Sequence, residues 1–503
     1  MKKIVCFFSV LLFSLLWMSC SNQTASSYYL DAVNGDDSQN GLTEATAWKS
    51  LSGLRNVELK PGDRIRLKRG GTFAGELEIS GQGTPDNRIY VEAYGEGDKP
   101  CIVGNDTSLY AVRIFNSDYL TLRDIAIVNT GKERRPHRTG LKIECRDYGV
   151  SRNIAVDGVD VRDVNGSLVK EEGGGSGILI VNGGKDIISV FDSLTIENCH
   201  ILRCARNAMI WSGYSSRENW HPSKHTIVRN NLIEEVPGDG IVPIGCDSTL
   251  IEHNVMRNCP AILPDSEAAA GIWPWSCDNT IIQFNEVSDH KAPWDAQGFD
   301  SDWNCRNTLI QYNYSHDNDG GMVLICNSGE SPATFNAGNV GTVIRYNISI
   351  NDGRRTRPTR AGMFSPSIHI AGPVKNTTIS HNIIHANRRA TKEADRSMIT
   401  SDSWGGYSDS TFVQGNIFYT QEASTFNFTK STNDVFSGNY YLGTFKVKPA
   451  DKDAQSVSEA YQKLIEKDAD GFEGLSVLMD TVGIADSEGV FVNENAIRRF
   501  FDR

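Results

Sequence analysis

A short phrase that recurs along the middle of the chain limits its possible folds more than any other feature. The phrase is Ser or Thr, an apolar residue, three variable places, Asn and usually another apolar residue. It reads TIVRNNLI from Thr226, TLIEHNVM from Thr249, TIIQFNEV from Thr280, TLIQYNYS from Thr308, TVIRYNIS from Thr342, TTISHNII from Thr377 and TFVQGNIF from Thr411. An earlier copy, SLTIENCHI, ends at Ile201. The Asn place falls on Asn198, Asn231, Asn254, Asn285, Asn313, Asn347, Asn382 and Asn416, and two weaker copies carry Asp124 at that place and Asp157 beside it.

Each copy is one alternating strand and a polar corner, too small to bury a face alone, so the units must stack. Helical repeats need a 3.6-residue period and leucine-rich repeats a Leu framework, and neither is present. The spacing is uneven, 23 residues from Asn231 to Asn254 but 35 from Asn347 to Asn382, as expected of equivalent coils joined by unequal loops. Asn recurring at one corner suits a parallel β-helix, in which stacked amides hydrogen-bond from coil to coil. The expected fold class is all-β, a single solenoid of about ten or more coils, although 503 residues alone would suggest about three domains.

Six coils share a second strand: SGILIV, NAMIWS, DGIVPI, AGIWPW, QGFDSD and GGMVLI, starting at Ser176, Asn207, Asp239, Ala270, Gln297 and Gly320. The third place, Ile178, Met209, Ile241, Ile272, Phe299 and Met322, is apolar throughout and points inward. Alternation then sends the fourth and sixth places outward, Trp273 and Trp275 in one row and Asp300 and Asp302 in the next. Carboxylates two residues apart on one face have Cα atoms roughly 7 Å apart, and the indoles stand one rung away, about 4.8 Å.

Exposed Trp beside paired acids is a sugar-binding constellation: the indole stacks on C–H groups while the acids bind hydroxyls or transfer protons. Glycoside hydrolysis needs one protonated acid and one carboxylate, and repulsion between neighbouring acids raises one pKa. Asp300 and Asp302 are the expected acid/base pair, with Asp239 or Asp317 as a third carboxylate. His316 and Asp317, in the loop before the sixth row, could approach Asp300, and Glu267 and Asp265 occupy a comparable loop two coils earlier. His369, in SIHIAG, is expected to be structural. Four Arg residues in seven, Arg354, Arg355, Arg357 and Arg360, could hold a carboxylate or sulfate bidentately.

The phrases, the entry segments YYLDAVNGDDSQNGLTEATAWKSL and KPGDRIRLKRGGTF, and the segment DAQGFDSD resemble the right-handed parallel β-helix superfamily of polysaccharide lyases and glycoside hydrolases. Among named groups, the chain resembles glycoside hydrolase family 141 and its neighbours. The resemblance implies an N-terminal cap, with a short helix over Trp48 to Leu54 started near Thr43 or Thr46. It also implies polysaccharide or oligosaccharide degradation by clustered Asp residues, with no cofactor and no metal. The alternative it allows is a lyase acting on a uronate-containing glycan, with a Ca²⁺ and a basic residue such as Lys224 or Lys291. Lyases similar to this chain tend to carry Lys where Asp300 stands, which disfavours that alternative. A non-catalytic glycan-binding protein is the third reading, since it needs the aromatics and not the acids.

Lys2 and Lys3 precede an apolar run from Ile4 to Met18, the pattern of a secretory signal. Ser19-Cys20 resembles a bacterial lipobox, with Trp17 where Leu is usual, so Cys20 is expected to be lipidated and the protein exported to the periplasm or outer-membrane surface. Of 11 Cys, nine remain after Cys6 and Cys20, an odd number without CxxC spacing, which fits buried thiols better than a disulfide or zinc framework. With 50 Lys+Arg against 62 Asp+Glu, the net charge of -12 disfavours nucleic acid as a partner. A monomer is expected. The anticipated divisions are a leader at 1–19, a linker at 20–27, the β-helix catalytic domain at 28–445 and a C-terminal cap at 446–503, where SEAYQKLIEKD and ENAIRRFFDR read as amphipathic helices.

Overall fold

A computed structural model of the protein describes residues 25–332, 335–386, 391–428 and 430–456. The leader with Cys20, most of the linker and the two C-terminal helical segments lie outside the described residues.

The short alternating strands pair in parallel from coil to coil and build three faces of a solenoid. The first face is a 17-stranded sheet that begins with Ser27–Leu30 and carries the Ser/Thr-apolar half of each phrase. The second has 13 strands from Thr72–Ala74 to Tyr440–Leu442. The third consists of two six-stranded runs, Leu77–Ile79 to Ile241–Val242 and Phe299–Ser301 to Phe445–Val447. Among the described residues, only the isolated bridges Ile241↔Ile272, Ile244↔Trp275 and Ile272↔Phe299 connect these runs. Pro243 and Pro274 cause the thinning, because neither has an N–H to give to the ladder; their carbonyls still accept from Trp275 and Asp302. Ile178, Met209, Ile241, Ile272 and Phe299 all point into one continuous core, as their alternation requires.

The Asn column forms as the phrase predicts, but it starts one coil later. Each Nδ2 donates to the next Oδ1 through Asn231, Asn254, Asn285, Asn313, Asn347, Asn382, Asn416 and Asn439, at 2.8–3.0 Å, and the column ends on Asp451. Asn198 is not a member: Cys199 donates its backbone N–H to Asn231 Oδ1, and Asn198 holds the left-handed corner before it. The same offset puts Ile125 and Val159 at the column place, with Asp124 left-handed and Asp157 before the left-handed Gly158. In later coils the left-handed place holds His253, Phe284, Tyr312, Tyr346 and His381, whose rings stack at 5.1–5.3 Å and offset the backbone strain.

Three further details depart from expectation. The entry segment makes two 3₁₀ turns, Glu44–Thr46 capped by Thr43 and Leu51–Leu54 capped by Ser50, while Trp48 bridges to Leu30 instead of starting a helix. Parallel bridges Phe436↔Asp451 and Tyr440↔Gln455 carry the ladder beyond residue 445. The sixth row is displaced by one residue: Phe299 pairs with Val323, not Met322. Val323 and Ile325 therefore enter the core, and Leu324 and Cys326 face outward with Ala371 and Trp303.

Candidate active site

The corrected register defines two outward rows on the third face. One runs Leu179, Ile210, Val242, Trp273, Asp300, Leu324, His369, and the other Val181, Ser212, Ile244, Trp275, Asp302, Cys326, Ala371, Asp402. Asp300 and Asp302 thus share a rung between the indoles and the Leu324–Cys326 pair. Gly298 allows this strand to lie flat, since an added Cβ would sit 2.4 Å from Ser315 Oγ.

The two acids are differently placed. Asp300 is 4% exposed and its buried Oδ1 has no hydrogen-bond partner. Burial, then the charges of Asp302, Asp295 and Asp239, push its carboxyl well above the ordinary range. Asp302 is half-buried; its Oδ1 accepts from the Trp303 backbone N–H at 2.6 Å and from Cys326 Sγ at 3.0 Å. Burial raises it too, against the opposing influence of Cys326, Trp303 and Lys170.

A third acid, Asp295, joins them from the two-residue strand Trp294–Asp295, which pairs with Ala268–Ala269. Burial and then the Asp302 charge raise it to about 6. It lines a cavity of about 200 Å³ with Trp294, Phe364, Trp404, His369, Asp402, Gln297 and Arg355. His369 Nε2 lies 3.0 Å from Asp402 Oδ1, with its ring edge-on to Phe364 and Trp404. Gln297 is 4% exposed and its Oε1 is unpartnered. On the other side of the acids, a 560 Å³ groove is floored by Leu179, Val181 and Ile210 and edged by Lys142, Lys170 and His137.

Several expected site residues have other tasks. Asp239 is 1% exposed, ion-paired to the fully buried Arg206, and accepts from Trp273 Nε1 at 3.1 Å. Glu267 holds the same guanidinium at 3.0 Å. Trp273 is only 7% exposed, covered by Lys170 at 5.8 Å, so it is not an open platform; Trp275 remains half-buried. His316 lies on the second face, between Glu286 at 3.2 Å and Asp317 at 2.9 Å. Burial opposes its charging, but the two carboxylates prevail and lift its pKa to about 9. Asp317 also binds Arg354 at 2.7 Å, and none of these three lines either cavity. Arg355 is buried and donates to the carbonyls of Ala292, Pro293 and Asp295, which steadies the Asp295 strand, whereas Arg357 is exposed.

Asp300, Asp302 and Cys326 place three donor atoms within 4.8 Å of one another. Two carboxylates and a thiol fall short of the six to eight oxygens that Ca²⁺ takes, and the Cys326 thiol is pushed far up by burial and the acids. The set is a hydrogen-bonded acid–thiol cluster.

Comparison with known proteins agrees with this architecture. Residues 176–353 match a right handed beta helix region family model. A lacto-N-biosidase of Bifidobacterium longum subsp. longum is 24% identical over 86% of the chain, and the chain spans 32% of that relative's length. The crystal structure of a GH136 lacto-N-biosidase from Eubacterium ramulus superposes with a TM-score of 0.59 at 23% identity, covering 86% of this chain and 67% of that one. A mannuronic acid specific polysaccharide family 6 lyase from human gut microbiota gives 0.52 at 13% identity, covering 95% of this chain and 100% of that one. The protein therefore has the right-handed parallel β-helix fold, in common with the glycosidases and lyases it resembles.

Proposed function

We propose that this protein is a carbohydrate-active enzyme, a glycoside hydrolase whose acid/base pair is Asp302 and Asp295. The observation that carries this reading is a group of three mutually repelling carboxyls, of which Asp295 and Asp302 are half-buried and Asp295 lines an aromatic-walled cavity. Hydrolysis needs a proton donor and a carboxylate at once, and mutual repulsion in a low-dielectric site keeps one of two acids protonated near neutrality. Asp300 is the buried neighbour whose own carboxyl is pushed well above the ordinary range by burial and the Asp302, Asp295 and Asp239 charges, while Asp239 anchors Trp273. Trp294, Phe364 and Trp404 suit a sugar's C–H faces, and Gln297 Oε1 and Asp402 suit its donors.

A neutral or complex oligosaccharide fits better than an acidic one, because Arg354 and Arg355 are already engaged. The similarity to lacto-N-biosidases makes a lacto-N-biosyl unit the first substrate to test. The Lys-led apolar run and Ser19-Cys20 support export with a lipid anchor at Cys20. Incubation with an aryl lacto-N-bioside and a panel of neutral and acidic glycans should release saturated sugars. Asp302→Asn and Asp295→Asn should abolish release and still bind the glycan. An ultraviolet-absorbing C4–C5 double bond in the product would establish a lyase instead, and full activity in both variants would remove these residues from the chemistry.

A further inference from the structure

Cys326 is one of nine free thiols among the described residues, and it is distinguished by facing the acid rung instead of the core. It reaches that place only because the sixth row is displaced by one residue. Its Sγ lies 3.0 Å from Asp302 Oδ1, the same oxygen that accepts the Trp303 N–H at 2.6 Å. Oδ2 receives neither donor.

We infer that Cys326 is a positioning residue for the proposed reaction: its S–H, with the Trp303 N–H, holds Oδ1 of Asp302 and leaves Oδ2 as the oxygen that exchanges a proton with the substrate. A carboxyl has two near-equivalent oxygens, and fixing one as an acceptor determines where a proton can reside on the other. The thiol is suited to this because burial and the Asp302, Asp300 and Asp295 charges keep it protonated, so its S–H is present to donate.

The other groups facing Asp302 are Asp300 two residues before it, Asp295 on the Trp294–Asp295 strand, Asp239 bonded to the Trp273 indole and Lys170 over that indole. Burial and the Asp239 charge favour the protonated carboxyl, and the thiol, the Trp303 N–H and Lys170 oppose them. Loss of the S–H donor removes a stabiliser of the carboxylate, so the Asp302 pKa rises.

The inference rests on the assignment of Asp302 to the chemistry, and the test separates the two. The pH dependence of kcat/KM is measured for Cys326→Val, Cys326→Ala and Cys326→Ser, with Asp302→Asn alongside and melting temperatures for all. Val and Ala should move the limb belonging to Asp302 to higher pH by about one-half to one unit, and Ser should return it toward its original position. A packing role alone would lower the melting temperature of Val and Ala without moving either limb, and that result overturns the inference. So does a Ser variant displaced as far as Ala. Full activity in Asp302→Asn overturns the assignment of Asp302 itself, whereas inactive Asp302→Asn with unmoved limbs overturns only the role of the thiol.

Discussion

The indole N–H of Trp273 donates to Oδ1 of Asp239 at 3.1 Å, while Arg206 grips the other oxygen of that carboxylate and Glu267 besides. All three charged groups are almost wholly buried. The rung next to the acids is therefore fastened by an ion triad. Arg206→Met should strand two buried carboxylates and destabilise the protein by about 3–5 kcal/mol, read as a loss of urea midpoint with an unchanged slope. A change below about 1 kcal/mol would show that solvent already compensates the acids.

Asp300 should be a burden on stability at neutral pH. Its folded pKa is raised above the unfolded value, so its contribution is intact below about pH 4 and declines as pH rises toward the folded pKa. Asp300→Asn keeps the shape without the charge, and its melting temperature should exceed the wild type's at pH 7 and match it near pH 4. An equal or lower value at pH 7 would mean that the carboxyl is stabilised by contacts its unpartnered Oδ1 does not reveal.

Burial and then the Asp302 charge push the Asp295 carboxyl up to about 6. If it works as the carboxylate of the pair, kcat/KM should rise through that pH, and an NMR titration of the inactive Asp302→Asn variant should place the Asp295 carboxyl lower, because a neighbouring negative charge is gone. A flat profile between about pH 5 and 7 would contradict this role.

Trp275, not Trp273, is the indole left open on the acid-flanking rung. Trp275→Ala should raise KM about tenfold with a smaller change in kcat, the pattern of lost uniform binding. Trp273→Ala should instead lower kcat and stability together, since its indole is bonded to Asp239.

Within the Asn column, Asn313 donates to Asn347 Oδ1 and its own Oδ1 accepts from Asn285. Asn313→Ala breaks both links and leaves buried groups without partners, a cost of about 2–4 kcal/mol by equilibrium denaturation. Asn198→Ala, outside the column, should cost less than about 1 kcal/mol.

Much of this was legible from residue order because the structure is periodic at two levels. Alternation placed Ile272 and Phe299 inward and the Trp and Asp pairs outward, and the phrase identified every column Asn from Asn231 to Asn416. The errors arose where the pattern is degenerate. In Asn198-Cys199 the polar residue took the corner and the thiol took the column. In GMVLIC every place from Met322 is apolar, so one shift of register looks like the next, and the outward Cys326 was hidden by it. Asp295 stands in DAQGFDSD, five residues before Asp300, but its approach depends on a two-residue strand that alternation cannot detect. The Arg206, Asp239 and Glu267 triad joins three loops, and no local pattern announces a charge pair across 61 residues.

The Asn column also sets what this scaffold tolerates. Every amide is joined to both neighbours, so coil spacing is determined at one corner and is independent of the length of chain between corners, 23 residues in one turn and 35 in another. Segments that wall the cavity, such as that bearing Phe364 and that bearing Trp404, can lengthen or be exchanged without moving the acid rung. A lineage of such proteins could change the glycan it accepts by rewriting loops while the reacting carboxyls keep their places.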